Sequence, residues 1–259
     1  MKYFYLVVLF VLFFASLGLH AAEFKVVIDP GHGGTDAGAV SEKIKEADIT
    51  LEISKRVSKL LSEDSQFDVI LTRSSDKVVP LFERSGVAKK TKADLFISIH
   101  ANSSTDLDAK GAEVYFQSQM PPDEETLFLA SRENQGHENK VDDDSEAPQG
   151  DLAVIVDDLK KNEHVYNSQI FAETVISQWK KKLPIRHEPI RQGPFHVLVN
   201  VPMPSVLIEV GFVTNHKELP LLKSPTHQNQ IANIIYKSIR NYKEKIDKQE
   251  FSSHIISRR

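Results

Sequence analysis

No cysteine occurs in the 259 residues of this chain. That absence excludes disulfide staples and thiolate chemistry, so a metal site would have to be assembled from histidine, aspartate and glutamate. An excess of basic charge is missing too: 32 Lys and Arg stand against 36 Asp and Glu, which argues against a nucleic-acid partner. The helical HExxH pattern of many zinc peptidases does not occur. Neither an internal repeat nor a second domain can be discerned. The longest apolar stretch lies at the start, where "MKYFYLVVLFVLFFASLGLHAAEF" sets Lys2 ahead of apolar residues and small residues behind them, the order of a secretory signal peptide. The run from Tyr3 to Leu19 approaches the roughly 17 to 25 residues of a bilayer span, so an uncleaved anchor is the alternative. The expectation is a leader over residues 1–21, cut near Gly18 to Ala22. Its removal takes Lys2 away and leaves 31 basic against 36 acidic side chains, a net charge of −5.

What remains alternates between strand and helix. "FKVVID", "FDVILTR", "ADLFISIH" and "GAEVYF" read as strands, the third apolar enough for burial on both faces. In "EADITLEISKRVSKLLSED", Ile49, Ile53, Val57 and Leu60 share one helical face, and a short helix is expected around "PLFERSGVAKK". After Gln117, "DEETLFLASREN" can be helical, whereas "NQGHENKVDDDSEAPQGD" is acidic and aperiodic and reads as a surface loop. Helical pattern resumes from Asp151 to about Leu183, as two helices broken near Asn162. "FHVLVN" and "SVLIEVGF" read as two further strands. A terminal helix opens at "SPTHQNQ", with Ser224 as cap and Pro225 at the first helical position. The alternation puts residues 22–259 in the α/β class as a single domain.

Three ionisable side chains stand at or near strand ends: His32 after "VVIDPG", His100 closing "LFISIH", and Glu209 within "VLIEVGF". Open α/β sheets bind ligands at the carboxyl ends of their strands, so the three together point to a site more strongly than any one of them. A lone histidine there is more often a hydrogen-bonded structural residue. Glu209 is harder to dismiss, because burying an unpaired carboxylate is expensive and calls for a cation, a metal or a proton. Asp29 has a structural reading, holding the Pro-Gly turn through its own backbone amides. Gly31, Gly33 and Gly34 permit positive φ and close backbone approach to a ligand. Two histidines, a carboxylate and one open position form a familiar catalytic zinc arrangement, but spacing alone does not identify the third ligand.

Four motifs, "VVIDPGHGGTDAGAV", "KEADITLEISKRV", "LTRSSDKVVPLFERSGVAKKTKADLFISIHANSS" and "FHVLVNVPMPSVLIEVGFVTN", occur in the order found in the zinc-dependent N-acetylmuramoyl-L-alanine amidases, the family that includes bacterial cell-division amidases. The chain resembles that family from about Lys25 to its terminal helix. The resemblance implies a twisted mixed β-sheet with helices on both faces, a Zn2+ cofactor held by His32, Glu46 and His100, and Glu209 as the catalytic glutamate. Glu42 lies close enough to Glu46 for a shifted alignment to exchange them. Asn102 resembles a position near the metal, with tying a loop as its other role, and Arg73 and Arg84 match positions assigned here to structural pairing. The implied reaction is hydrolysis of the amide between N-acetylmuramic acid and L-alanine in peptidoglycan. Some cell-division members carry an insertion near residues 135–161 whose helix covers the zinc and supplies a carboxylate until an activator protein displaces it. Glu146 or Asp151 could serve as that carboxylate here, and a solvated loop leading into a packing helix is the plainer reading. With a leader and no separate wall-binding domain in view, the resemblance fits a Gram-negative periplasm best, or secretion from a Gram-positive cell. A zinc peptidase acting within the stem peptide and a non-catalytic wall-binding protein are the other two readings.

Overall fold

The computed structural model describes residues 23–118, 123–135, 150–199 and 201–256. The expected leader and Glu146 lie outside the described residues. The order is β1 (Phe24–Pro30), a small hairpin of β2 (Val40–Ser41) and β3 (Ile44–Lys45), α1 (Glu46–Ser62), β4 (Phe67–Leu71), α2 (Leu81–Thr91), β5 (Leu95–Asn102) and β6 (Ala112–Gln117). Then come α3 (Glu124–Glu133), α4 (Asp151–Trp179), β7 (Ile185–Gly193), a 3-10 turn (His196–Leu198), β8 (Ser205–Phe212), α5 (Glu218–Lys223) and α6 (Pro225–Ile256). No helix among the described residues is long and apolar enough to cross a membrane.

Six strands form one mixed sheet in the order β4-β1-β5-β8-β6-β7. All neighbours run parallel except β6 and β8, which are antiparallel. Successive side chains of a strand face opposite sides of its sheet, and that alternation divides the core in two. On one side Ile28, Ile97 and Ile208 pack with Ile53 of α1, Phe171 of α4 and Ile235 of α6. On the other, Val27, Phe96, Tyr115 and Leu207 pack with Ala88 of α2, Leu129 and Ala130 of α3, and Phe195, Val197 and Leu198 around the 3-10 turn. By the same alternation this second face carries Asp29, Ser98, His100, Glu113 and Glu209, every one of them buried. The expected α/β domain with helices on both faces is therefore the one observed.

Asp29 does more than hold a turn through its own amides. Its carboxylate accepts hydrogen bonds from Thr72 Oγ1 at 2.5 Å, Ser98 Oγ at 2.7 Å and Arg84 Nη1 at 2.8 Å. Arg84 also donates to the carbonyls of Pro30 at 2.6 Å and His32 at 2.8 Å. Arg73 is structural as expected, but it reaches carbonyls instead of an acid, donating to Pro30 at 2.9 Å, Gly31 at 2.6 Å and Ala47 at 2.9 Å. Two buried guanidiniums thus fasten the chain segment that delivers His32.

Two sequence expectations need correction. The described part of "FHVLVN", residues 195–199, forms no strand: its 3-10 turn sits against the sheet with Phe195, Val197 and Leu198 buried, so its apolar content serves packing and not a ladder. The sixth strand is instead β7, "IRHEPIRQG". The break near Asn162 is absent, since α4 runs unbroken for 29 residues. That stretch contains neither glycine nor proline, and an interior asparagine costs well under about 1 kcal/mol. Ser224 and Pro225 open α6 as expected, with Ser224 O accepting from Gln228 N at 2.9 Å.

Removing one partner of a buried ion pair leaves the other charge uncompensated, so Asp29→Ala should lower stability by about 3–5 kcal/mol, read from the urea midpoint. Burial pushes the Asp29 carboxyl upward, but Arg84, Thr72 and Ser98 outweigh it and hold the group below its ordinary value. A depressed folded pKa gives stability that is complete above the unfolded value and is lost as pH falls through the folded one. Asp29→Asn should accordingly flatten the acid limb of a stability-against-pH curve. An unchanged acid limb would contradict the assignment.

Candidate metal centre

His32 stands just past the end of β1 with φ of 59°, a left-handed conformation that non-glycine residues rarely adopt. The bonds from Arg73 and Arg84 hold that backbone in place. Gly31 leaves the room required, because a Cβ there would lie 2.5 to 2.7 Å from the His100 ring. Asp36 Oδ2 meets His32 Nδ1 at 2.9 Å and so turns Nε2 into the site. Such a carboxylate behind a ligating imidazole fixes ring orientation and tautomer. Asp36 was not picked out from the sequence, although its i+4 position in "HGGTD" was the available signal.

His100 lies on β5, in register with Glu209 of β8. Glu46 begins α1, where the helix N-terminus favours negative charge. Its Oε2 accepts from Ala39 N at 2.9 Å and its Oε1 from Ala101 N at 3.0 Å. Glu42, the alternative to Glu46, is exposed on the turn between β2 and β3.

A fourth group completes the cluster. Glu133, at the last turn of α3, reaches the two histidines, and one ligand atom from each of His32, Glu46, His100 and Glu133 lies within 4.8 Å of all the others. His32 Nε2 is 3.2 Å from Glu46 Oε1 and 3.1 Å from Glu133 Oε2. His100 Nδ1 is 3.1 Å from Glu46 Oε1 and 3.0 Å from Glu133 Oε2. A tetrahedron of N and O donors around zinc has edges of about 3.3 Å, so four of its six edges are reproduced. Buried His32 Nε2 and Glu133 Oε2 have no well-formed hydrogen bond among the described residues, which a cation between them would answer. The donor set therefore fits a divalent metal ion.

Asp151 does not take that fourth place, being exposed at the start of α4, and Glu146 lies outside the described residues. Sequence reasoning missed Glu133. Thr126, Leu129, Ala130 and Glu133 are all buried, so the available signal was a carboxylate at the i+7 position of an inward helical stripe.

Burial works against charge in every group here, and mutual attraction decides the outcome. Desolvation lowers His32, yet Glu46, Asp36 and Glu133 raise it far above its usual value. His100 is likewise lowered by burial but raised overall to about 10, mainly by Glu133 and Glu46. Glu46 and Glu133 are pushed up by burial and pulled below their ordinary value by the histidines, Glu46 the more strongly. Glu209 differs. Burial dominates, His100 opposes it, and Glu46, Glu133 and Glu113 add to it, so its carboxyl is held well above the usual range. Neither of its oxygens has a hydrogen-bond partner among the described residues.

Asn102 takes the loop-tying role, accepting from Ser103 N at 2.7 Å and donating to Glu113 at 3.0 Å. Beside the cluster opens a cavity of about 790 Å³ lined by His32, Asp36, Val40, Ser104, Phe128 and Glu133 among others.

Comparison with known proteins places this architecture. The family profile described as N-acetylmuramoyl-L-alanine amidase matches residues 26–241. A probable N-acetylmuramoyl-L-alanine amidase AmiB of Haemophilus influenzae is 35% identical over 241 residues, 90% of this chain but 55% of that protein. N-acetylmuramoyl-L-alanine amidase AmiA of Escherichia coli K12 is 34% identical over 88% of this chain and 79% of its own length. Among solved structures, the amidase AmiC2 of Nostoc punctiforme superposes with a TM-score of 0.65 at 28% identity, covering 86% of this chain and 99% of that one. With the family profile spanning most of its length, a relative 34% identical over 88% of it and a solved amidase sharing its fold, the chain belongs to the N-acetylmuramoyl-L-alanine amidase family.

Proposed function

We propose that this amidase holds zinc through His32, Glu46 and His100 and uses Glu209 to hydrolyse the amide joining N-acetylmuramic acid to the L-alanine of the stem peptide. The observation that carries the reading is the set of four donor atoms, four of whose six separations are 3.0 to 3.2 Å, with Glu209 paired to His100 across the ladder. Bound zinc would polarise the scissile carbonyl and make water a nucleophile near neutral pH. Glu209 takes a proton from the attacking water and passes it to the nitrogen of the departing L-alanine, which must be protonated to leave. Its buried carboxyl, with no competing protein partner, is suited to shuttling that proton.

Four protein donors describe a closed site, whereas a catalytic zinc keeps one position open. Glu133 accordingly acts as a self-block, and hydrolysis requires α3 to lift. The sequence suggested this role for residues 135–161, and the reading proposed here gives it to Glu133 of the preceding helix. An activator protein is the agent we assign to that displacement. Support comes from the first half of α4, where Leu152, Ile155, Val156 and Leu159 form an apolar stripe left exposed, Leu152 by 75% and Leu159 by 63%. A contiguous apolar face of that kind marks an interaction surface. We also assign export through residues 1–21 and, with it, action on the wall in the periplasm during remodelling or daughter-cell separation.

Glu209→Gln should retain zinc by elemental analysis while losing roughly a hundred- to ten-thousand-fold in hydrolysis of purified sacculi. The parent should release intact stem peptides with a free L-alanine amine. Shortened peptides would instead mean a peptidase, and full activity in Glu209→Gln would remove its role.

Both imidazoles are held protonated near neutral pH, so zinc uptake should expel protons, about two per ion if both histidines ligate. Calorimetric titration in two buffers of different ionisation enthalpy reads that number. Identical heats in the two buffers would contradict the protonated state of the imidazoles.

Glu133→Ala should raise basal activity on sacculi by roughly tenfold or more without an activator. An equal or lower rate in the folded variant would count against the self-block.

A further inference from the structure

Beyond the metal cluster, the same helix makes a second ionic contact. Glu125 stands on α3 two turns before Glu133, and its carboxylate is bridged by two guanidiniums of β7. Arg186 Nη2 reaches Glu125 Oε1 at 2.6 Å, and Arg191 Nη1 reaches Glu125 Oε2 at 2.7 Å. Residues five apart in a regular strand face opposite sides of a sheet. Here the register between β6 and β7 shifts, Ala112 pairing with Ile185 but Val114 with Ile190, so that both arginines come to the face that carries Glu209.

Each arginine also has contacts outside α3. Arg186 Nε contacts buried Glu113 at 3.3 Å, and its guanidinium lies 5.4 Å from the centroid of the Phe212 ring. Arg191 Nε donates to the Glu188 carbonyl at 3.1 Å. Their terminal nitrogens are left to share one carboxylate. Asp123, 3.5 Å from Arg191 and half exposed, is a looser third partner. While α3 is seated, Glu113 and Glu125 balance two cations. When α3 lifts, Glu125 leaves with Glu133, and two guanidiniums with side chains 22% and 13% exposed face Glu113 alone. A pair of pre-positioned arginines with one surplus positive charge is a carboxylate receptor.

We infer that Arg186 and Arg191 form a subsite for a carboxylate on the peptide part of the substrate, and that Glu125 occupies it in the resting protein. The inference rests on the proposed lifting of α3. Strands β8, β6 and β7 are consecutive in the sheet, so the pair lies two strand spacings, about 10 Å, from Glu209. An extended peptide advances about 3.3 Å per residue. The carboxylate recognised therefore sits on the second or third residue from the cleaved bond, and the ligand class is an acidic peptide. In this view α3 imitates the substrate at two points, with Glu133 at the metal cluster and Glu125 at the arginines.

The test is peptide binding by the full chain carrying Glu125→Gln and Glu133→Ala, followed by NMR titration. The probes are the tripeptide Ala-Glu-Lys and the same tripeptide with both carboxylates amidated. The acidic form should bind about tenfold or more tightly than the amidated form, and adding Arg191→Gln or, separately, Arg186→Gln should remove the difference. Equal affinity for the two peptides, including no binding of either, overturns the subsite. So does a preference that survives both arginine substitutions in variants whose thermal melts show them folded. Hydrolysis plays no part in this readout. Loss of amidase activity with peptide selection intact would therefore count against the zinc and Glu209 assignment and leave the arginine pair standing.

Discussion

The geometry of the metal cluster depends on a carboxylate that never touches it. Asp29, buried at the end of β1, gathers Thr72, Ser98 and Arg84, and Arg84 in turn grips the carbonyls of Pro30 and His32. A left-handed backbone at a non-glycine residue costs of order 1–3 kcal/mol and persists only where its surroundings over-determine it. Here they do, because Arg73 fixes the Gly31 carbonyl and Asp36 sets the imidazole. Glu46 and His100 arrive from regular elements and need no such scaffold. The site is thus a strained loop residue brought up to two groups that the helix and the sheet already present.

Strand alternation explains why so much chemistry shares one face. Asp29, Ser98, His100, Glu113 and Glu209 fall on the same side of neighbouring strands, and each strand keeps apolar residues for the other side. The sheet can therefore carry a row of polar groups across its middle without losing its core. Helix α3 closes over that row, resting Leu129 and Ala130 against the cluster that holds Tyr115 and Phe195. Asn134 anchors its end, donating to the Pro194 carbonyl at 2.9 Å and accepting from His196 N at 2.8 Å. The apolar 3-10 turn that reads as a strand in the sequence thus serves as the seat for this helix.

The central strands were legible because burial on both faces leaves unbroken apolar runs, and His32, His100 and Glu209 stood out as ionisable residues next to or within those runs. Glu46 was legible only through its motif, since a carboxylate opening a helix has many ordinary uses. β7 was hidden because an edge strand exposes one side, tolerates Pro189, and in this case spends its inward positions on arginines. Glu133 was hidden for a related reason. The pattern of α3 allows a helix, but nothing local says that its inward stripe ends at two histidines distant in the chain. Long-range pairings such as Arg186 with Glu113 likewise leave no mark on periodicity.

A coordination shell closed by a helix has a bearing on how such an enzyme would keep its ion. On the reading given above, the resting form grips with four donors and the working form with three. Ion affinity generally grows with the number of pre-positioned donors. Idle molecules would then be the ones that resist chelators and metal scarcity, while each molecule in service is exposed to losing its charge to the surroundings.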